Sequence, residues 1–353
     1  MGRAAAFLRQ CVSTPLNAIL SAAILGWLGY AILRTVRWAL LDAVWSGAGP
    51  QACAGVDAAC WLFIEERFGQ ILFGTYPAQE LWRVAACGVA ALALAVLFSL
   101  PWRRGKLPAV LAALILYPAF AGVMLHGGAF GLTVVPTARW GGMLLTAVIA
   151  AWTIAAALPL GLALALARRS GLPTLAWLAV LYIDLMRGLP LVGILFVAIV
   201  LFPMFVPPGV DVDVLVRTLV AFALFNAANM AEVIRGGIQS VPRAQQEGAM
   251  ALGLRPWQAM MLCILPQAIR AAMPGIVNVS VAIIKETTIV LIAGLFDFLG
   301  VLQSGLIDPA WIIGDQIRQT AYFFAGAVFF VVCFGLSRVS ARIERRLDVG
   351  RRY

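Results

Sequence analysis

Charge is scarce in this chain. Of its 353 residues, 12% are Asp, Glu, Lys or Arg and 63% are hydrophobic. A soluble domain carries about 25% charged and about 45–50% apolar residues. A mean hydropathy of +0.95 therefore excludes a water-soluble globular domain and makes lipid the main solvent. Histidine is nearly absent: His126 is the single one. With no Cys or His beside it in sequence, it supports neither a metal site nor a Ser-His-Asp or Cys-His nucleophile, and it reads as a loop residue. Lysine is reduced to Lys106 and Lys285, followed by Leu107 and Glu286. A phosphate-cradling Walker A loop needs Gly-Lys followed by Ser or Thr, so no ATP hydrolysis, no cofactor and no catalytic residue is expected in this chain.

The formal charge is +10. The basic residues sit in short clusters between apolar runs, the pattern of loops facing anionic lipid, so no nucleic-acid partner is expected. Cys11, Cys87, Cys263 and Cys333 lie in or beside apolar runs and read as small hydrophobes. Cys53 and Cys60 share a polar loop, where a disulfide and a pair of thiols both remain open. The first apolar run lacks a small-residue cleavage site and is followed by Arg34 and Arg37, so it reads as a retained span.

What is abundant is apolar sequence long enough to cross a bilayer, about 20 residues per span. Leu16–Leu33, Val84–Leu100, Leu107–Leu125, Gly142–Ala167, Leu189–Val206, Val214–Ile234, Pro266–Ile284 and Tyr322–Val339 qualify. The expected fold is all-α and polytopic, with about eight transmembrane helices. Leu172–Met186 is apolar but ends sharply at Arg187, Gly188 and Pro190, and reads as interfacial or half-inserted. Lys285–Gln319 is broken by Gly294, Gly300, Gly305 and Pro309, as a re-entrant or broken helix would be. Eight spans place Arg3, Arg9, Arg103, Arg104, Lys106, Arg168, Arg169, Arg235, Arg243, Arg255 and the basic tail 341–353 on one side. The positive-inside rule makes that side the cytoplasm, with both termini there. Residues 1–135 form an extension of about three spans with a loop near 41–81. That loop reads as a lid on the outer bilayer surface or as a docking surface for a solute-binding protein. Residues 136–340 form a five-span unit.

The loop 235–266, RGGIQSVPRAQQEGAMALGLRPWQAMMLCILP, is more than a connector. Ala244, Gly248, Ala249 and Leu252 recur at helical spacing, Pro242 starts the segment and Gly253 stops it. A second short helix is expected from Pro256 to Leu265. Such a pair suits docking into a groove on another protein, or lying on the lipid surface. Asp184 with Arg187, and Glu232 with Arg235, are three residues apart and read as local structural pairs.

The stretch EGAMALGLRPWQAMMLCILP resembles the EAA loop of permease subunits in binding-protein-dependent ABC importers, through Glu247, Gly248, Ala249, Gly253, Ile264, Leu265 and Pro266. The family usually has alanine where this chain has Gly248. GGMLLTAVIAAW, ARRSG and YIDLMRGLPL, with Asp184, Arg187, Gly188 and Pro190, resemble the polar amino-acid branch, the histidine/glutamine-permease-like family. AEVIRGGIQSVP, LPQAIRAAMPGIVN and KETTIV continue the likeness, and GLFDFLG at Gly294–Gly300 is similar to general L-amino-acid permeases. The resemblance covers Gly141–Val339.

The resemblance implies a five-helix permease core after a three-helix extension, in a bacterial inner membrane. It implies a pair of ATP-binding subunits that hold ATP and Mg, a second permease (identical or sister), a periplasmic solute-binding protein and an amino-acid substrate. Glu247 and Arg243 would contact the ATPase, and Gly253 would allow the tight turn. Lys285 and Glu286 follow an apolar run, where charge costs at least about 2.5–3.5 kcal/mol at the bilayer centre and so tends to face a cavity or a partner. With Asn278 and Thr287 they could answer the carboxylate and ammonium of an amino acid, or else shape a gate near the interface.

Overall fold

The structure, a computed structural model, describes residues 11, 13–99, 106–207 and 209–348. Arg3, Arg9, Arg103, Arg104, Arg351 and Arg352 of the charge pattern lie outside the described residues. Among the described residues the secondary structure is helical apart from isolated bridges. The chain divides into two compact units, residues 1–68 with 303–324, and residues 69–302 with 325–353.

In the first unit, α1 (Pro15–Val36) starts from a Thr14 cap that accepts the Asn17 amide at 3.2 Å, with Pro15 at its first turn. Proline loses nothing there, because that N–H has no helical acceptor. The loop that follows is pinned rather than draped. Cys53 and Cys60 are joined in a disulfide, which settles the pairing the sequence leaves open. Gln316 Nε2 donates to the Cys53 carbonyl at 2.7 Å, and the Cys60 amide donates to Thr320 Oγ1 at 2.9 Å. Arg67 pairs with Asp308, Phe63 meets Trp311 edge-on, and Trp45 stacks on Trp61.

The second unit holds α2 (Leu81–Ser99), α3 (Lys106–His126), α4 (Gly142–Ala167), α5 (Pro173–Gly188), α6 (Leu191–Phe196), α7 (Val214–Gln239), α8 (Arg243–Ala251), α9 (Leu265–Glu286) and α10 (Phe298–Leu306), the last running past Leu302. His126 ends α3, so it is a helix-terminal residue rather than a loop one. The final helix, α11 (Asp315–Asp348), spans the run expected at Tyr322–Val339.

Among the described residues, six helices are long and apolar enough to cross a membrane, or seven if α5 and the Leu191–Phe205 segment form one broken span. The run Leu107–Leu125 folds as α3, and its described apolar stretch counts among the shorter helices. The fifth run, Leu189–Val206, is not a straight helix. Pro190 drives Leu189 into an extended conformation, φ −98° and ψ 144°, because the proline ring clashes with a helical predecessor. The chain bends by 102° there. Further on, a π-turn at Val197–Leu201 precedes Pro203. Proline has no N–H for the carbonyl four residues back, and that Ile199 carbonyl instead accepts from Arg217 at 2.9 Å. The same device, a π-turn at Ala259–Ile264, precedes Pro266.

The core is built on close backbone approach. Ala157, Gly161 and Ala165 form a small-residue stripe on α4, facing Ala227, Met230 and Ala231 on α7. A methyl group at Gly161 would lie 2.5 Å from Met230 Cβ and 2.9 Å from the Ala227 carbonyl oxygen. Lipid tails are as apolar as leucine, so association in a membrane relies on such contacts rather than on water exclusion. Gly237 serves the α7–α9 crossing in the same way, 2.8 Å from Ala272 Cβ for an added methyl. With 61% of its apolar window buried, α7 is the central element of this unit; α1 of the other unit buries none.

Candidate functional site

The loop after α7 supplies the first element. Helix α8 is exposed along most of its length: Arg243, Glu247 and Gly248 face outward, and Ala249 alone is buried. The helix ends in a Schellman turn. The Gly253 amide donates to the Met250 carbonyl at 2.9 Å and the Leu254 amide to the Ala249 carbonyl at 3.2 Å. Gly253 has φ +85°, a left-handed conformation that costs glycine nothing. Nothing lies within 4 Å of a methyl at Gly248, so the glycine there is not a steric need. Leu252 and Trp257 stand out, 87% and 62% exposed. The expected second short helix is a correction. Pro256–Gln258, capped by Gln258 side-chain Oε1 accepting from the Arg255 backbone amide at 2.9 Å, runs through the π-turn into α9 as one span, Pro256–Ala293. Pro266 therefore lies inside a span and not at a loop end.

Glu232, about two turns before the end of α7, collects three arginines from three helix ends. Arg235 Nη2 lies 2.6 Å from one carboxylate oxygen, Arg168 Nη1 2.5 Å from the other, and Arg187 Nη1 3.6 Å away. The expected Glu232–Arg235 pair is present. The expected Asp184–Arg187 pair is not: Arg187 turns to Glu232, and Asp184 makes no ion pair among the described residues. The three-residue spacing puts Asp184 within reach, but Asp184 is exposed and Arg187 lies 3.6 Å from Glu232 instead. Gly188 and Pro190 set the break that aims Arg187.

The third element lies where α9 ends. Lys285 and Asn278 are exposed, whereas Glu286 turns inward toward the buried amide of Asn226 on α7. One Glu286 carboxylate oxygen, Oε2, is buried without a hydrogen-bond partner. Thr287 is fully buried, its hydroxyl in reach of the Ile284 carbonyl at 3.0 Å and of Asp297 Oδ2 at 3.2 Å. The four residues proposed from the sequence thus do not converge. Glu286 and Thr287 face inward, and Lys285 and Asn278 do not.

Asp297, which sequence reasoning did not single out, is also fully buried. Its Oδ1 accepts the Gly300 amide at 2.9 Å. Burial pushes its carboxyl up to about 6, against those hydrogen bonds. Around it the chain closes on itself. The Gly142 amide donates to the Phe296 carbonyl at 2.9 Å and the Phe298 amide to Thr146 Oγ1 at 3.0 Å. Gly142 has φ +63°, and a side chain there would strike the Ile71 carbonyl. The signal was present in GLFDFLG, read there only as a likeness. Asn226 and the pairing of Arg168 left no comparable mark, because they depend on which helix ends meet.

Among the described residues no cluster of three or more His, Cys, Asp or Glu side chains is placed to hold a metal. Residues 157–349 match the family described as binding-protein-dependent transport system inner membrane component. The chain is 40% identical to the Escherichia coli K12 inner membrane amino-acid ABC transporter permease protein YhdY, over 92% of this chain and 88% of that one. It is 34% identical to the glutamate/glutamine/aspartate/asparagine transport system permease protein BztC of Rhodobacter capsulatus, over 95% and 91%. A crystal structure of an amino acid ABC transporter with histidines superposes with a TM-score of 0.50 at 28% identity, covering 58% of this chain and 92% of that one. An exposed helix closed by a Schellman turn, small-residue helix crossings and a multi-span apolar framework accompany these matches, and the chain belongs to the family of inner-membrane components of binding-protein-dependent transport systems, as a membrane-spanning permease subunit.

Proposed function

We propose that the chain lines the translocation path of an ATP-driven importer for polar L-amino acids, and that α8 couples it to a separate ATPase pair. ATP and Mg belong to those partners, a periplasmic solute-binding protein delivers substrate, and a second permease, sister or identical, completes the path. The orientation with both termini cytoplasmic puts α8 on the ATPase side. The observation that carries the reading is α8 itself: nine residues closed by the Schellman turn, nearly all exposed, followed by outward Leu252 and Trp257. A surface helix with no partner of its own rarely presents such side chains unless another protein covers them. Arg243 and Glu247 supply the polar contacts, and Gly253 the reversal. The substrates for which the relatives are named, with glutamate, glutamine, aspartate and asparagine among them, support polar amino acids as the cargo class.

Along the path, the partnerless Glu286 oxygen beside Asn226 supports a role for that pair in meeting a polar or ammonium-bearing cargo. Lys285 and Asn278 then act near the gate. The test is uptake of labelled amino acids by cells carrying Glu247→Arg or Gly253→Trp. Both variants should reach the membrane at normal levels, fail to transport, and lose the ATPase when the tagged chain is purified in mild detergent. Normal uptake by both would remove the coupling role of α8.

A further inference from the structure

Between α2, α3, α4 and α7 lies a cavity of about 780 Å³. Each helix lines it with one end, α2, α4 and α7 with their beginnings and α3 with its last turns. The first ten or so residues of α2 contribute Val84, Cys87, Gly88 and Ala91, and the last ten of α3 run from Tyr117 to His126. The first ten of α4 run from Met143 to Trp152, and α7 adds its first turns from Leu215 to Leu219. From Met143 to Trp152 is nine residues along the helix, a rise of about 14 Å at about 1.5 Å each. That is half of a hydrocarbon core of about 30 Å, so the cavity occupies one leaflet and stops near the midplane. Its depth is apolar, and its mouth carries Thr137, His126 and Asp213. Asp213 is already engaged, capping α7 through the Leu215 and Val216 amides. Arg139, two residues along the same short turn from Thr137, is exposed. Its Nε donates to the Thr75 carbonyl, and it has no acidic partner among the described residues. The sides open laterally: Gly88, Ala147, Ala151 and Trp152 are exposed on helices that otherwise pack together.

We propose that this cavity is a lipid site, holding one acyl chain of a phospholipid from the leaflet at that end of the spans, with the phosphate at Arg139. Water in so apolar a space would lack partners, and an empty cavity would forfeit the contacts of its whole lining. A tail one leaflet long fits the depth, and Arg139, two residues from Thr137 at the mouth and without an acidic partner among the described residues, fits the phosphodiester. The lipid would thereby join the two extension helices α2 and α3 to the core helices α4 and α7.

The chain purified in mild detergent, in its full complex, would be examined by native mass spectrometry with lipid extraction. One phospholipid per chain should survive detergent exchange. Gly88→Phe and Gly122→Phe place rings into the space, since neither glycine has an atom within 4 Å of an added methyl. Each should lower retained phospholipid about tenfold with unchanged helical circular dichroism. Arg139→Ala should lower it for anionic phospholipids. If the phenylalanine variants misfold, Cys87, buried in the cavity wall, gives an independent reading on the native chain. An apolar maleimide should modify it faster after delipidation than in phospholipid nanodiscs. Wild-type chain free of phospholipid after mild exchange, undiminished retention in a folded Gly88→Phe, Cys87 labelling indifferent to lipid, or crosslinks from Ala147 and Ala151 to a second polypeptide would each overturn the proposal.

Discussion

Two glycines that look alike in sequence should respond in opposite directions to the same methyl group. Gly161 sits in the α4–α7 seam, where an added Cβ would stand 2.5 Å from Met230 Cβ. Carbon atoms in contact prefer about 3.5–4.0 Å, so the helices must part by about 1 Å along a stripe that includes Ala157 and Ala165. Both flanking residues are fully buried, and Met230 meets the intruder with its β-carbon, which rotamer changes cannot move. Overpacking of this kind costs about 1–3 kcal/mol, against which the better helix propensity of alanine returns up to about 1 kcal/mol. At Gly248 the propensity gain stands alone, since the space is open. Gly161→Ala should therefore be about 2 kcal/mol less stable than Gly248→Ala, a gap on the order of 5 °C in thermal unfolding of the purified chain followed by size-exclusion fluorescence. Equal melting of the two variants, or a more stable Gly161→Ala, would refute the claim that backbone contact through Gly161 holds these helices.

Two further outcomes follow from the charged groups. Glu232→Gln leaves three guanidinium groups facing one another, and with the arginines part-exposed the loss should be about 1–3 kcal/mol. Arg187→Gln, at 3.6 Å and nearly half exposed, should cost under about 1 kcal/mol; a larger loss from Arg187 than from Glu232 in the same melting assay would contradict the hub. Asp297 has a folded-state value near 6, above its ordinary 3.8. Its contribution is thus fully present below pH 3.8 and is lost as pH rises through 6, by up to about 3 kcal/mol. Relative to wild type, Asp297→Asn should gain stability between pH 4 and pH 7, and a difference that does not vary with pH would remove the protonation argument.

The apolar runs, the helix α8 with its stop at Gly253, and the break at Gly188–Pro190 were legible in the sequence, because each follows from local chemistry. Helix spacing, proline sterics and a glycine at the turn need no knowledge of the rest of the chain. The Arg187 partner was misread for the complementary reason. Three-residue spacing names Asp184, but the choice between it and Glu232 is made by where α5 meets α7, some 50 positions away in sequence. Asp297 and Asn226 escaped on the same ground, their burial being a property of the packing. The set Asn278, Lys285, Glu286 and Thr287 divides because a helix turning about 100° per residue sends neighbours to different faces, and Lys285 leaves where Glu286 enters.

The staple of the first unit bears on the order in which the chain is made. Cys60 donates its amide to Thr320, 260 residues later, and Cys53 gives its carbonyl to Gln316. During synthesis, the loop around the disulfide leaves the ribosome long before the helix that receives it. At about 5–20 residues per second, it waits some tens of seconds with its binding edge uncovered. The disulfide, closing a short local ring, needs no later partner and can form in that interval. It would keep the waiting loop folded until the helix Asp315–Asp348 arrives to receive it.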